Sequence, residues 1–260
     1  MNNVNKTLYI PLYGKAYVSS RDLLLEDKKA EQIWEAQGFS LRGKAKSKWL
    51  AYNMAMRSVV FDRWLEEKQR ELPGAVILHV GCGMDSRILR VGNRYHQWYD
   101  VDFPEVIEER KRYFEETETY HMIPSDIRDM QWLSRIPRGS DAVIVMEGIS
   151  MYLPVAELKA VLKLWREYFG EIRILMDSYT VFGAKASKYK NPINQVGVTQ
   201  VYGFDDPQIL TECTELIFVR ERELTPLWLI EKLPRSEQGF FKTLFAGKAA
   251  KKIYRLYEYR

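Results

Sequence analysis

The sequence predicts an α/β fold built on a mainly parallel β-sheet, and three observations lead to that prediction. From residue 75 onward, short apolar runs alternate with amphipathic stretches, which is the pattern of βαβ units. The first run, "AVILHV" (75–80), leads into a Gly-x-Gly turn and then a helical stretch. The chain has 260 residues, of which 46% are hydrophobic and 28% charged, so it can bury a sizeable core. We therefore expect one domain spanning residues 1–260.

The first 72 residues predict a helical N-terminal cap. The stretch 21–38 places apolar residues among charges and ends at a glycine, which is a typical helix stop. The stretch 48–72 repeats apolar residues at helical spacing, and Pro73-Gly74 ends it.

Residues 73–180 predict the ligand-binding core of the sheet. The predicted strands are "AVILHV" (75–80), "HQWYDVD" (96–102), "YHMIPSD" (120–126), "DAVIVME" (141–147) and "IRILMDS" (172–178). The polar region that follows, up to residue 207, is long for a plain loop, so we expect a lid over the site.

Residues 181–260 are expected to contain that lid and to complete the sheet. The stretches "TELIFVRERELT" and "LWLIEKL" predict a late antiparallel pair of strands. The basic tail "GKAAKKIYRLYEYR" is interpreted as the solvated face of a terminal helix.

Charge and cysteine content exclude several classes of protein. The net charge of +4 is too small to indicate nucleic-acid binding by itself. The basic tail and a pI of about 8.8 nevertheless leave a nucleic-acid methyltransferase or binding module as an alternative function. The two cysteines, Cys82 and Cys213, form no CxxC pair, and the histidine spacing indicates no metal site. No secretion signal or stretch of 18 apolar residues is present. We expect a cytoplasmic protein without metal, membrane or nucleic-acid partners, and its oligomeric state stays open.

The glycine loop predicts a nucleotide-like ligand. Gly81 and Gly83 follow a strand and precede a helix, so backbone N–H groups lie open to a ligand at the helix end. Asp102 comes 19 residues after Gly83, at the tip of the second strand, where an acidic residue accepts ribose hydroxyls. Ser86 replaces the third glycine of the dinucleotide fingerprint. S-adenosylmethionine is therefore favoured over a nicotinamide dinucleotide, and a mere tight turn is the alternative without a ligand.

Four segments carry a resemblance to a known family. In chain order, "HVGCGMDSRILR", "YDVDFPEVIEERK", "PSDIRD" and "MEGISMYLP" resemble the leucine carboxyl methyltransferase family. They are most similar to its bacterial branch, with the O-methyltransferases of polyketide biosynthesis. The resemblance implies a class I methyltransferase fold, a Rossmann-like sheet of seven strands with an N-terminal helical cap. It also implies S-adenosylmethionine as cofactor and a small metabolite, methylated on a carboxylate or hydroxyl, as acceptor.

The resemblance also implies which residues bind the nucleoside part of the cofactor. Gly81 and Gly83 would line its methionine and ribose portion, and Asp102 would accept the ribose hydroxyls. Asp126 and Ile127 would flank the adenine through a carboxylate and a backbone N–H. From the residues alone, Asp126 could instead cap a turn.

Three further residues complete the implied site. Arg57 would reach the methionine carboxylate, and Glu147 would lie near the amino group, with charge-assisted hydrogen bonds. Arg57 could instead extend to solvent, and Tyr152, close to the cofactor, could be an ordinary core tyrosine. An acceptor carboxylate would need a cationic anchor but no general base. The candidate anchors are Lys15, Arg21, Lys185, Lys188 and Lys190.

Overall fold

The computed structural model describes residues 5–38, 41, 43–91, 95–187 and 200–260. The strands are β1 (Val76–Val80), β2 (Gln97–Asp102), β3 (Tyr120–Pro124), β4 (Ala142–Met146), β5 (Ile172–Tyr179), β6 (Phe218–Arg222) and β7 (Tyr254–Tyr259). The helices are α1 (Tyr9–Ser19), α2 (Lys28–Ala36), α3 (Lys48–Glu71), α4 (Arg87–Arg90), α5 (Pro104–Arg110), α6 (Val155–Tyr168), α7 (Val181–Ser187), α8 (Leu227–Ile230), α9 (Arg235–Phe245) and α10 (Gly247–Lys251).

The strands form one seven-stranded sheet in the order β3-β2-β1-β4-β5-β7-β6. The pairs β1–β2, β1–β4, β2–β3 and β4–β5 are parallel, and β7 runs antiparallel to both of its neighbours. The strand order changes direction between β1 and β4, and ligands of open α/β sheets bind beside such a switch point. The five predicted parallel strands and the α/β fold class are confirmed.

Side chains alternate between two apolar layers, one on each face of the sheet. On β1, Ile77 packs into the layer that contains α1, α2 and α3. Its neighbours Val76 and Leu78 pack into the opposite layer, with α6. A strand that is covered on both faces has a nearly continuous run of apolar residues in its sequence. This explains why β1 could be predicted clearly from the sequence. None of the helices in the described ranges is long and apolar enough to cross a bilayer.

The helical N-terminal region contains one helix that the sequence did not predict. Helix α1 holds Pro11 and Gly14, two residues that usually argue against a helix interior. Pro11 is tolerated because it lies in the first turn, where its missing N–H has no helical partner. Gly14 faces α3 so closely that an added Cβ would lie 2.9 Å from the Cβ of Met54.

Two predictions for the C-terminal region were wrong. "LWLIEKL" is not a strand, because Pro226 precedes it as the N-cap of helix α8. The tail is not a solvated helix face: only Gly247–Lys251 is helical, and Tyr254–Tyr259 is β7, inserted between β5 and β6. Leu256, Tyr257 and Tyr259 are at most 1% exposed. This burial explains the strand, since aromatic and apolar side chains fit the covered surface of a sheet.

The predicted lid falls only partly on described residues. Residues 181–187 form α7, and residues 188–199, with Lys188 and Lys190, lie outside the described residues. Beyond them Gly203 forms a bridge with Tyr179 at the end of β5. The lid therefore stays a prediction.

Candidate functional site

A cavity of about 950 Å³ opens at the carboxyl ends of the parallel strands. Its floor is formed by the loops that follow β1, β2, β3 and β4, and its walls include residues of α1 and α3. Each of the residues predicted to bind the cofactor lines it: Arg57, Gly81, Gly83, Asp102, Asp126, Ile127 and Glu147, together with Tyr152.

The glycine loop after β1 depends on glycine at two positions. Gly81 has a φ of +67° and Gly83 a φ of +50°, a left-handed conformation that side chains disfavour. A Cβ on Gly81 would also lie 2.1 Å from Cγ2 of Ile149. Both backbone groups of Gly83 are held: its N–H donates to Oδ2 of Asp102 at 2.8 Å, and its carbonyl accepts from Nη1 of Arg110 at 3.0 Å.

Asp102 is fixed in position and still has capacity for a ligand. Its Oδ1 accepts the backbone N–H of Phe103 at 2.8 Å, and its Oδ2 accepts that of Gly83. An ionised carboxylate can accept about four hydrogen bonds, so two sites remain. Burial raises the pKa of Asp102 to about 6, although both backbone N–H groups act in the opposite direction. The carboxylate is therefore ionised at neutral pH and protonated in mild acid.

Asp126 and Ile127 lie in the loop after β3, the strand that pairs with β2. Asp126 accepts the backbone N–H of Arg128 at 3.0 Å and forms an ion pair with its guanidinium. The turn-capping role was the alternative weighed from the sequence, and the structure contains it. The same residue nevertheless lines the cavity, next to the partly buried Ile127.

Arg57 and Glu147, predicted to bind opposite ends of a zwitterion, contact each other. Nε of Arg57 lies 3.0 Å from Oε1 of Glu147, and the arginine is only 5% exposed. It therefore does not extend to solvent. Glu147 also accepts from Ser58. Burial alone would raise the pKa of Glu147, but the neighbouring guanidiniums outweigh it and lower the pKa to about 2.

Sequence reasoning missed two residues that complete this buried cluster. Arg87 of α4 is fully buried and donates to the carboxylate of Glu147. Asp177 of β5 pairs with Nη1 of Arg57 at 3.0 Å and accepts the backbone N–H of Gly148 at 2.7 Å. Asp177 follows the apolar run of β5 and Glu147 directly follows β4, so the rule that parallel strands end at one edge could have found Asp177. Arg87 carried no comparable signal.

None of three other polar groups in the lining is prepared to act as a base at neutral pH. Burial raises the pKa of Tyr152 to about 12, and its hydroxyl interacts with Thr7. Burial lowers the pKa of His79 and raises that of Cys82, so the imidazole is neutral and the thiol is protonated. A neutral imidazole could accept a proton, but Nε2 of His79 already accepts from a guanidinium nitrogen of Arg87 at 2.9 Å, and its Nδ1 lies 3.2 Å from Oδ1 of Asp100. No group of three metal-ligating side chains occurs in the ranges that the structure describes.

The outer part of the cavity is apolar and aromatic. The ring centroids of Trp49 and Phe245 are 6.1 Å apart, with an angle of 15° between the planes. Other apolar residues of the lining are Leu50, Met54, Tyr179, Leu224, Leu244, Ile253 and Tyr254.

Of the three candidate cationic anchors that the structure describes, one lines the cavity. Lys15 lines the cavity, but it is 2% exposed and pairs with Asp85 at 2.9 Å. Arg21 is exposed and stacks on the ring of Tyr17, and Lys185 is exposed on α7. Lys15 thus belongs to the buried charge network rather than to an open anchor.

Comparison with solved structures supports the fold. Magnesium protoporphyrin IX methyltransferase from Synechocystis PCC 6803, crystallised with bound S-adenosylhomocysteine, has a TM-score of 0.52 at 12% identity, over 89% of this chain and 92% of that chain. This likeness shows the shared class I methyltransferase fold.

Two relatives match by sequence. A tetracenomycin polyketide synthesis O-methyltransferase from Streptomyces glaucescens is 32% identical over 161 residues, which is 60% of either chain. An S-adenosylmethionine-dependent methyltransferase from Gibberella zeae is 26% identical over 245 residues, covering 85% of this chain and 82% of that protein. The match thus spans less than two thirds of the first relative's length.

A family model covers the structural elements that build the site. The model for leucine carboxyl methyltransferases matches residues 10–165, which run from α1 to α6 and include Arg57, the glycine loop, Asp102 and Glu147. The chain belongs to the leucine carboxyl methyltransferase family.

Proposed function

We propose that the protein transfers the methyl group of S-adenosylmethionine to an oxygen atom of a small-molecule acceptor. The observation that carries this proposal is the contact between Asp102 and the N–H of Gly83. It places a carboxylate with free acceptor capacity directly over the glycine loop of a methyltransferase family member.

The nucleoside end of the cofactor fits the residues present. Asp102 keeps about two acceptor sites for the two ribose hydroxyls, after its contacts with Gly83 and Phe103. Asp126 and Ile127 line the same side of the cavity, after the adjacent strand β3. They offer a carboxylate and a main-chain N–H to an adenine edge.

The methionine end fits on grounds of charge. The amino acid moiety of the cofactor is a zwitterion, and Arg57 with Glu147 is a pair of equal and opposite charges. Hydrogen bonds from each charge to its counterpart in the ligand are the charge-assisted kind. When contacts with the zwitterion replace the contact between Arg57 and Glu147, the buried site gains no net charge, which keeps the desolvation cost low.

The cofactor supplies a methyl group on a positively charged sulfur, which is electrophilic without further activation. The chain then needs to hold the acceptor oxygen in line and to exclude water. The apolar outer cavity, with Trp49 and Phe245 in its lining, is suited to water exclusion. Tyr152 is a neutral phenol, and Nε2 of His79 is occupied by a guanidinium N–H of Arg87. A carboxylate acceptor, which is already ionised, is therefore favoured over a hydroxyl.

Calorimetry with S-adenosylhomocysteine and NADH tests cofactor binding, and transfer of labelled methyl to small carboxylic acids and phenols tests the activity. In calorimetry we expect the protein to bind S-adenosylhomocysteine and not NADH. In the transfer assay we expect a carboxylic acid to become labelled and the label to become volatile after base treatment. Binding of NADH alone would overturn the proposal, and base-stable label would indicate an ether and hence a hydroxyl acceptor.

A further inference from the structure

Two segments that are basic and partly apolar line the cavity, and a third segment of the same kind adjoins them. We call these segments, residues 43–49, 181–187 and 240–253, the rim. They contain Lys44, Lys46, Lys48, Lys185, Lys242, Lys248, Lys251 and Lys252, and no aspartate or glutamate. The whole chain carries a net charge of only +4, so positive charge is concentrated in these segments.

The three segments adjoin one another in space. The rings of Trp49 and Phe240 are 4.6 Å apart, which joins the first segment to the third. The carbonyl of Ile253 accepts the N–H of Thr180 at 3.0 Å and lies against Gly183, which joins the third to the second. Trp49 and Ile253 also line the cavity, so the rim is continuous with its opening.

Large apolar side chains of the rim are exposed to solvent. Phe182 is 63% exposed, Leu244 52% and Phe240 49%. Phe240 and Leu244 are four residues apart on α9 and therefore share one face of the helix. Clustered apolar exposure of this kind marks an interaction site.

Most of the rim lysines form no ion pair with another residue that the structure describes. Lys48 pairs with Glu237 at 2.7 Å, and Lys251 with Glu221 at 3.3 Å. Within the residues that the structure describes, the others form no ion pair: Lys44, Lys46, Lys185, Lys242, Lys248 and Lys252. Their charge is available to an external anionic surface.

We propose that the rim docks on an anionic lipid bilayer, so that the cavity opens onto the membrane surface. Helices with lysine on one side and phenylalanine and leucine on the other lie in the bilayer interface, and each lysine near anionic lipid adds to the affinity. An acidic protein would also complement the charge. The cations of the rim are all lysine, however, and lysine is depleted in protein interfaces, whereas at a bilayer its long side chain reaches the headgroups.

Cosedimentation with vesicles tests the proposal on the full chain and is independent of methyl transfer. The probes are vesicles of phosphatidylcholine alone and with 30% phosphatidylglycerol, at low and high salt. We expect binding to the anionic vesicles only, falling at high salt because surface charges are screened. The double variant K242E/K248E should weaken it at least tenfold, and F240S/L244S about tenfold.

Matched controls are available on α6, no residue of which lines the cavity. Leu164 is 41% exposed, and Lys163 is exposed in the same helix, so L164S and K163E should bind as the wild type does. If F240S/L244S unfolds in a thermal scan, F182S replaces it. Absence of binding to anionic vesicles, no effect of the apolar variants, or capture by polyglutamate instead of vesicles would each overturn the proposal.

Discussion

Replacing Glu147 by alanine removes the carboxylate that holds two buried arginines at the cavity floor. Its Oε1 lies 3.0 Å from Nε of Arg57, and its Oε2 accepts from Arg87. The arginines are 5% and 0% exposed. The variant thus leaves two guanidiniums in the interior with one partner fewer each.

The expected loss of stability follows from what each arginine retains. Breaking a buried ion pair costs about 3–5 kcal/mol when the other charge is left alone. Arg57 keeps Asp177 at 3.0 Å, and Arg87 keeps Asp62 at 2.6 Å. We therefore expect the lower end, a fall of about 3 kcal/mol in the free energy of unfolding. This is a large part of a typical total of about 5–15 kcal/mol.

Urea unfolding followed by circular dichroism measures this loss, and pH gives a second readout. The pKa of Glu147 is lowered from its ordinary 4.5 to about 2. The contribution of its carboxylate to the free energy of unfolding is therefore complete above pH 4.5. It is lost as the pH falls toward 2. The difference between wild type and E147A should shrink over that range. E167A, which removes a glutamate 54% exposed, should stay within about 0.5 kcal/mol of wild type. A loss below about 1 kcal/mol for E147A at pH 7 would refute the reasoning.

Three further predictions concern the glycine loop. In D102N, affinity for S-adenosylhomocysteine should fall at least tenfold by calorimetry, since a charged acceptor is lost. Wild-type affinity should also weaken below pH 6, where Asp102 becomes protonated, whereas D102N should show no such dependence. G81A should destabilise the fold by at least about 2 kcal/mol, through its positive φ and the clash with Ile149. Thermal unfolding should show partial recovery in G81A/I149A, and no recovery would contradict the clash. R110M should lower affinity for S-adenosylhomocysteine more than R110K does, because only the lysine can still donate to the carbonyl of Gly83. Equal affinities would contradict a role for that contact.

The parallel strands could be predicted because their signal is local. β1 and β4 are buried along their whole length, and such strands appear as uninterrupted apolar runs bounded by turns. β7 could not be predicted in this way. Its sequence, YRLYEY, does not alternate strictly between polar and apolar side chains and follows a basic helical stretch. It becomes a strand only by pairing with β5 and β6. Pairing between residues about 80 positions apart is a tertiary effect that overrides local preference.

The site was predictable to the extent that it depends on spacing along the chain. Gly83 follows β1 and Asp102 is the last residue of the adjacent strand β2, and the topology of a βαβ unit brings such positions together. Their contact at 2.8 Å agrees with that expectation. The contact of Arg87 with Glu147 depends on β4 lying next to β1, and the sequence did not contain that strand order in any local pattern.

Arg87 and Asp177, which sequence reasoning missed, make the proposed roles of Arg57 and Glu147 in cofactor binding compatible with the structure. Arg57 and Glu147 contact each other. If they had no other partners within the protein, a ligand that separated them would break a buried ion pair, at a high cost in free energy. Asp177 continues to hold Arg57, and Arg87 continues to hold Glu147, when that contact opens. A zwitterion can therefore enter between the predicted pair while each charge keeps one partner within the protein. The proposed binding of a zwitterion by Arg57 and Glu147 thus depends on this buried second pair, Asp177 and Arg87.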